Sequence, residues 1–353
     1  MGRLTRYRAW ALGLGLAAGA VLPLAPGVLA QEEDGATFLE SLIQEQLSGA
    51  GREVRVTGFE GALSSNATLE RLTIADENGI WFTLEEASLD WSRAALLRGR
   101  LEVSTLTAAS IDIARRPIAA PDQVTPEDAQ ATPFALPDLP VSITIGTLSA
   151  GEVTLGPDIL GETARLSLTA SLSFESGAGE AALDITRLDR PDAITLDAGF
   201  SNETRVLRIA LDLDEAEGGL VGRALGIPNT PPLRLEVTGD APLEDFTARI
   251  ALSSSGVERF GGTVRIGDLT GDNAAEGQSF TADLSGDLRP LVTADLHPFF
   301  GASASLRASG TTLSDGRFTL DRLALQAGAL DVTGSAAVAA DGWPERFDLQ
   351  GSV

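Results

Sequence analysis

The fold class is decided by the stretch Ala164-Arg165-Leu166-Ser167-Leu168-Thr169-Ala170-Ser171-Leu172-Ser173-Phe174. Its even positions are apolar, and its odd positions are Arg, Ser or Thr. This is the two-residue period of a strand that turns one face away from water. A helical stripe also needs apolar residues three apart, and here that spacing joins an apolar residue to a polar one. The stretch therefore predicts a half-buried β-strand.

The same alternation recurs along the chain beyond residue 52. It is present at 80–84, 87–91, 141–145, 194–200, 233–237, 246–252, 280–288, 330–338 and 347–353. Turn-forming pairs separate these segments, among them Asn78-Gly79, Asp315-Gly316 and Asp341-Gly342, which suit antiparallel hairpins. We predict an all-β fold, an antiparallel sheet that runs as a long meander.

The sequence predicts few helices. Thr37 and Glu40 form a capping box, and apolar residues recur on one face as far as Leu47, which predicts one N-terminal amphipathic helix. Short helical insertions are expected at 92–97 and 220–225.

Composition excludes several classes of protein. The 353 residues carry 26 Lys plus Arg against 50 Asp plus Glu, and a chain this acidic is not expected to bind nucleic acid. The absence of Cys excludes thiolate chemistry and disulfides, and a single His excludes any site with two imidazole ligands. We read His297 as structural and the pair Asp212 and Asp214 as solvated charge. The sequence thus predicts a protein that is not an enzyme, with no cofactor and no metal site.

The chain divides into four predicted segments. Residues 1–30 have a basic start, an apolar run and a small-residue end, as in a cleaved signal peptide, although an uncleaved signal anchor is the alternative. Residues 31–117 hold the N-terminal helix and the first β segment, and 118–140 form a Pro-rich linker. Residues 141–353 continue the sheet and stop within an alternating pattern, so we expect an exported chain that is truncated at its C-terminus.

The apolar strand faces need a cover, because each Å² of apolar surface removed from water contributes about 25 cal/mol. Two arrangements satisfy this need: a sandwich or barrel whose sheets pack on each other, or one sheet that curls into an open trough. Inward positions are mostly small aliphatic residues, which suit a smooth wall for acyl chains. The predicted lining residues are Leu166, Leu168, Leu172, Ile194, Leu196, Phe200, Leu207, Ile209, Leu211, Leu233, Leu235 and Val237.

Three segments carry a resemblance to a known family. They are 77–93 (ENGIWFTLEEASLDWSR), 95–101 (ALLRGRL) and 111–117 (IDIARRP), and the phrases at 220–228, 232–233 and 241–246 add to them. Together they resemble the translocation and assembly module subunit TamB, a member of the AsmA-like group that is similar to bridge-like lipid transfer proteins. The resemblance covers 52 to about 290. Members of this family are much longer and meet their barrel partner through a C-terminal domain, so we expect this sequence to correspond to the N-terminal portion only.

The resemblance implies a long β groove and favours the trough over the sandwich. It implies a non-enzymatic periplasmic module, attached to or near the inner membrane of a Gram-negative bacterium. Such a module would shield phospholipid acyl chains or nascent outer-membrane protein strands. The implied partners are phospholipid, the inner membrane and an Omp85-type barrel, TamA. The alternative from another class is a structural or protein-binding β-sandwich scaffold with no lipid cargo.

Overall fold

The computed structural model describes residues 53–61, 64–118, 136–137, 139, 142–269 and 277–352. Within these ranges the strands are β1 (Glu53–Thr57), β2 (Asn66–Asp76), β3 (Gly79–Trp91), β4 (Arg100–Ile113), β5 (Ser142–Leu155), β6 (Ala164–Glu175), β7 (Ala178–Arg187), β8 (Ala193–Ser201), β9 (Val206–Glu215), β10 (Leu233–Pro242), β11 (Asp245–Ser254), β12 (Val257–Asp268), β13 (Gly277–Gly286), β14 (Ala304–Leu313), β15 (Phe318–Ala327), β16 (Leu330–Val338) and β17 (Pro344–Ser352). The helices are α1 (Arg93–Leu96), α2 (Pro157–Leu160), α3 (Leu220–Ala224) and α4 (His297–Phe300), with 3₁₀ turns at Arg289–Leu291 and Ala294–Leu296.

The strands follow one another across a single curled, open sheet. Each strand pairs with the next one in the chain, from β1 at one edge to β17 at the other. The all-β prediction is confirmed. One pairing departs from the expected meander, because β4 and β5 run parallel. A parallel neighbour needs a connection long enough to return to the start of the strand, and residues 114–141 supply that length.

Irregular pairing accounts for the curl. The register shifts within seven of the strand pairings described. An extra residue on one strand bends it and increases the local right-handed twist. In β3 this residue is Trp81, which is skipped between the pairs Ile74–Phe82 and Ala75–Ile80. Two predicted short strands form the single strand β3, and Glu86 between them has a φ of 49°, in the left-handed region. The β5–β6 pairing has two shifts, and the eight shifts along the described sheet keep it from lying flat.

The two predicted helical insertions are confirmed as α1 and α3. Ser92 caps α1, since its hydroxyl oxygen accepts a hydrogen bond from the backbone N–H of Ala95. The N-terminal helix expected from Thr37 onward, the predicted signal segment 1–30 and most of the predicted linker lie outside the described residues. The predicted division into domains stays a prediction; β4 and β5, on either side of the linker, are neighbours in the same sheet.

Candidate functional site: one apolar face across the sheet

The strand register places one residue from each of β2 to β17 in a line across the sheet, because residues directly opposite each other share a face. We call this line the central row, and every member is apolar or Gly. Its members are Ala67, Leu89, Leu106, Leu148, Ala170, Leu183, Leu196, Leu211, Val237, Ile250, Gly262, Leu284, Leu306, Leu325, Val332 and Gly351. Neighbouring strands lie about 4.8 Å apart, so the row is roughly 70 Å long.

The apolar face extends on both sides of the central row. One flanking row contains Leu168, Ile185, Ile194, Leu213, Leu235 and Leu252. By this register all twelve predicted lining residues lie on the face. Phe200 and Leu233 are buried, Leu172 is 39% exposed, and the other nine are half-buried. That these residues contact lipid stays a prediction.

The apolar face has no second sheet packed on it in the described part of the chain. Two of the described buried clusters join neighbouring strands, as in Val103, Ile143 and Ile145 of β4 and β5, and two others also include residues from the connections between strands. Among the described residues no large side chain is completely buried. A sandwich of this size would bury such side chains between its layers. The apolar face is therefore partly accessible to a ligand from outside the sheet.

Aromatic residues are concentrated in one row near an end of the strands, whose members include Phe174, Phe200, Phe246, Phe280 and Phe347. Glycines on adjacent strands make room for the rings. A Cβ at Gly310 would come within 2.7 Å of the Phe280 ring, and one at Gly239 within 2.5 Å of Phe246. The rings thus lie over bare backbone. This row, in which aromatic rings are interspersed with Gly and aliphatic residues, forms one border of the apolar face.

Leu136, from the end of the predicted linker, contacts this border. It packs against a cluster formed by Phe200, Leu243, Phe246 and Ala248. Asn202 binds its backbone twice: the Leu136 N–H donates to Oδ1 at 2.9 Å, and Nδ2 donates to the Leu136 carbonyl at 2.8 Å. The Asn202 side chain therefore makes the pair of hydrogen bonds that a neighbouring strand would make, and these bonds hold Leu136 against the apolar face.

Buried charged side chains interrupt the face at the opposite end of the strands. Arg187 of β7 lies across from Leu166, and its side chain is only 2% exposed. It donates to both carboxylate oxygens of Asp189, at 2.9 and 3.1 Å, and to Glu162 at 3.0 Å. It also lies 3.7 Å from the buried Asp192. The guanidinium hydrogen bonds hold the pKa of Asp189 below its usual value, because they favour the charged carboxylate.

The other face of the sheet is polar, with Ser, Thr and paired charges. Asp212 accepts a hydrogen bond from Arg234 at 2.7 Å, and Arg208 bridges Asp197 and Glu180. The described residues contain no group of three or more His, Asp or Glu side chains placed to hold a metal ion. His297 begins α4, and its Nε2 lies 3.3 Å from the Val292 carbonyl, a contact with the backbone of its own insertion.

Sequence reasoning missed the continuation of the face beyond β10 and the position of Arg187. The first omission has a signal in the sequence, since β13 to β16 also alternate. The position of Arg187 also has a signal in the sequence. Arg187 lies two residues beyond Ile185 and four beyond Leu183, so it shares their face of the strand. The residues that neutralise it come from the following turn and from the loop after α2, and sequence alone does not pair them.

An open sheet with an unbroken apolar row and a polar outer face defines a β-groove protein of the bridge type. A family match makes this class more specific. Residues 21–260 match the family described as YdbH-like, Intermembrane phospholipid transport protein YdbH, and the chain belongs to this family. The match supports the predicted AsmA-like superfamily, but it does not single out TamB. Searches of curated proteins and of solved structures gave no match.

In the described part of the chain, no helix has the length and apolar character needed to cross a bilayer.

Proposed function

We propose that the apolar face is a groove through which phospholipid acyl chains pass between the inner and outer membranes, without catalysis. The observation that carries this proposal is the central row, apolar or Gly in sixteen consecutive strands. Each methylene moved from water onto such a wall contributes about 0.8 kcal/mol, so a long chain is held without a polar clamp. Head groups remain in water at the open side. Family membership supports the same cargo.

Lipid retention tests the proposal, with two variants on one strand. Val237 lies on the apolar face and Thr238, its neighbour in β10, lies on the polar face beside Arg249. Val237→Asp places a charge where acyl chains would lie, whereas Thr238→Asp adds the same charge in water. Native mass spectrometry of the purified chain should detect phospholipid with the unchanged protein and with Thr238→Asp, and much less with Val237→Asp.

Two outcomes would contradict the proposal. One is a purified chain that carries no phospholipid and takes up none from vesicles, which is the behaviour of a protein-binding scaffold. The other is equal lipid retention by Val237→Asp and Thr238→Asp, with circular dichroism showing both folded. Leu196→Asp, in β8 of the same central row, is a second lining variant if Val237→Asp does not fold.

The resemblance to TamB adds a finer proposal, in which the chain works in the periplasm with the Omp85-type barrel TamA and also shields nascent outer-membrane protein strands. An extended client strand with alternating apolar residues would fit the same half-buried wall. Co-purification of a tagged chain from detergent-solubilised envelopes tests this partner. Recovery of lipid without any barrel protein would leave the lipid groove standing and refute the barrel partner.

A further inference from the structure

A cavity of about 240 Å³ lies between the apolar face and two short helices. Leu160 of α2 and Leu220 and Val221 of α3 line one side of it. Ile185 and Ile194 of the flanking row line the other side. Arg187, Asp192 and Glu215 also line it, but their polar atoms are turned away from the open space, and the accessible wall is apolar. The two helices therefore roof part of a face that is open elsewhere.

The chemistry of the cavity selects hydrocarbon. An apolar cavity of roughly 150 Å³ is large enough to take up benzene, and this one is larger. A phosphate or ammonium head group would lose its water there, which is costly, because the accessible wall offers it no polar atom. The guanidinium of Arg187 and the carboxylate of Glu215 are already bonded to other protein groups. The cavity therefore fits the methyl end of an acyl chain and excludes the head group.

The cavity is continuous with the proposed lipid path. Ile194 is two residues along β8 from Leu196 of the central row, a separation of about 7 Å. Ile185 lies directly opposite Ile194 in the same flanking row. An acyl chain on the central row thus reaches the cavity across aliphatic side chains.

Polar contacts made by charged residues of the cavity lining hold the roof in place. The buried carboxylate of Glu215 accepts hydrogen bonds from the N–H groups of Val221 at 2.8 Å and Gly222 at 3.2 Å, at the start of α3. Glu162 binds both Arg187 of the sheet and Arg223 of α3. These bonds fix α3 to β9 and to the loop after α2, so the space beneath the helix is built into the fold.

We propose that this cavity is an acyl-tail subsite: it receives the methyl end of one chain of a phospholipid and so fixes that lipid's position along the face. The inference rests on the proposed function, since it assumes that lipid occupies the central row. It goes further in assigning one place where a lipid is held by its tail, at the roofed side of β5 to β9, while the rest of the face provides only a uniform wall.

The absence of Cys allows a direct test. Single-Cys variants Leu160→Cys, in the cavity, Leu196→Cys, on the central row, and Thr195→Cys, on the polar face, are labelled with a small fluorophore. Each is mixed with phosphatidylcholine that carries a nitroxide quencher near the methyl end or near the carboxyl end of one chain. We expect the Leu160 label to lose fluorescence mainly with the methyl-end quencher, the Leu196 label with both, and the Thr195 label with neither.

The outcomes separate the two proposals. Quenching at Leu196 but not at Leu160, or equal quenching of the Leu160 label by both lipids, overturns the subsite and leaves the groove standing. No quenching at Leu196 overturns the proposed function, and the subsite with it. Ala224→Phe, which fills the cavity from α3, provides a second measurement if a label at Leu160 unfolds the chain. This variant should retain phospholipid and remove the methyl-end preference of a label at Leu220→Cys; an unchanged preference overturns the subsite.

Discussion

Replacing Arg187 with Met should destabilise the fold more than any exposed charge substitution. The side chain is 2% exposed and donates to Asp189 and Glu162, with Asp192 within 3.7 Å. Met keeps much of the volume and removes the cation. Three carboxylates then remain around an apolar site, and Asp192, 8% exposed, has little access to water. The expected loss follows mainly from leaving Asp192 without a nearby cation, because water can solvate the more exposed Asp189 but has little access to Asp192.

The magnitude is that of breaking a buried ion pair by removing one partner, about 3–5 kcal/mol. In a chain of this size that loss corresponds to a fall in melting temperature of about 5 °C or more. Arg208 supplies the matched control, since it also bridges two carboxylates but is 46% exposed. Arg208→Met should cost no more than about 1 kcal/mol, because water screens an exposed pair.

Circular dichroism at several pH values measures both variants. The pKa of Asp189 is lowered in the folded chain, chiefly by its hydrogen bonds from Arg187. The stability it contributes is therefore present above its ordinary pKa of 3.8 and is lost as pH falls through the lowered value. The gap between the unchanged protein and Arg187→Met should narrow in strong acid. Equal melting temperatures of Arg187→Met and Arg208→Met at neutral pH would refute the reasoning.

Three further predictions concern single positions. Hydrogen bonds from the guanidinium of Arg289 lower the pKa of Asp287 to about 2, so we expect its carboxylate to titrate near that value by NMR. A titration midpoint near 3.8 would contradict this contact. Gly310→Ala should destabilise by about 1–3 kcal/mol in urea unfolding, because the new Cβ meets a carbonyl oxygen at 2.0 Å, whereas Gly351→Ala, with its nearest atom at 3.5 Å, should cost less; equal losses would refute this. Asn202→Ala should speed hydrogen exchange at the Leu136 amide about fivefold or more, since that N–H loses its acceptor, and unchanged exchange would show that the contact does not hold Leu136.

The sequence was sufficient to predict the sheet because its signal is local. Alternation in a segment such as 164–174 reports one strand and its buried face without reference to any other residue. The twelve predicted lining residues share a face for the same reason, since a one-residue error in register would have reversed the face of a whole strand. The parallel pair β4 and β5 was not predictable in this way, because strand direction depends on the path of the connection and not on the strands themselves.

The remaining features depend on contacts between distant segments. Arg187 depends on Glu162, twenty-five residues away, and Leu136 depends on Asn202, sixty-six residues away. The cavity exists only because α2 and α3, which follow β5 and β9, come together over the strands between them. Each helix has four or five residues and no capping signal comparable to Ser92. Nothing in their own sequences indicates that they form a roof.

The uniformity of the central row would affect how a lipid moves along the sheet as well as how strongly it binds. Its side chains are Leu, Ile, Val and Ala, with Gly at two strands, so a chain displaced by one strand exchanges aliphatic contacts for others of the same kind. Each methylene then keeps its roughly 0.8 kcal/mol wherever it lies, and no position along the row is a deep minimum. Charge would create a barrier, but the buried charges of Arg187 and Glu215 lie two rows away from the central row, and each has hydrogen-bond partners. If lipid occupies this face, many small contacts add up to strong binding, but the free-energy barrier for moving past any one strand is low. A bridge between two membranes requires this combination.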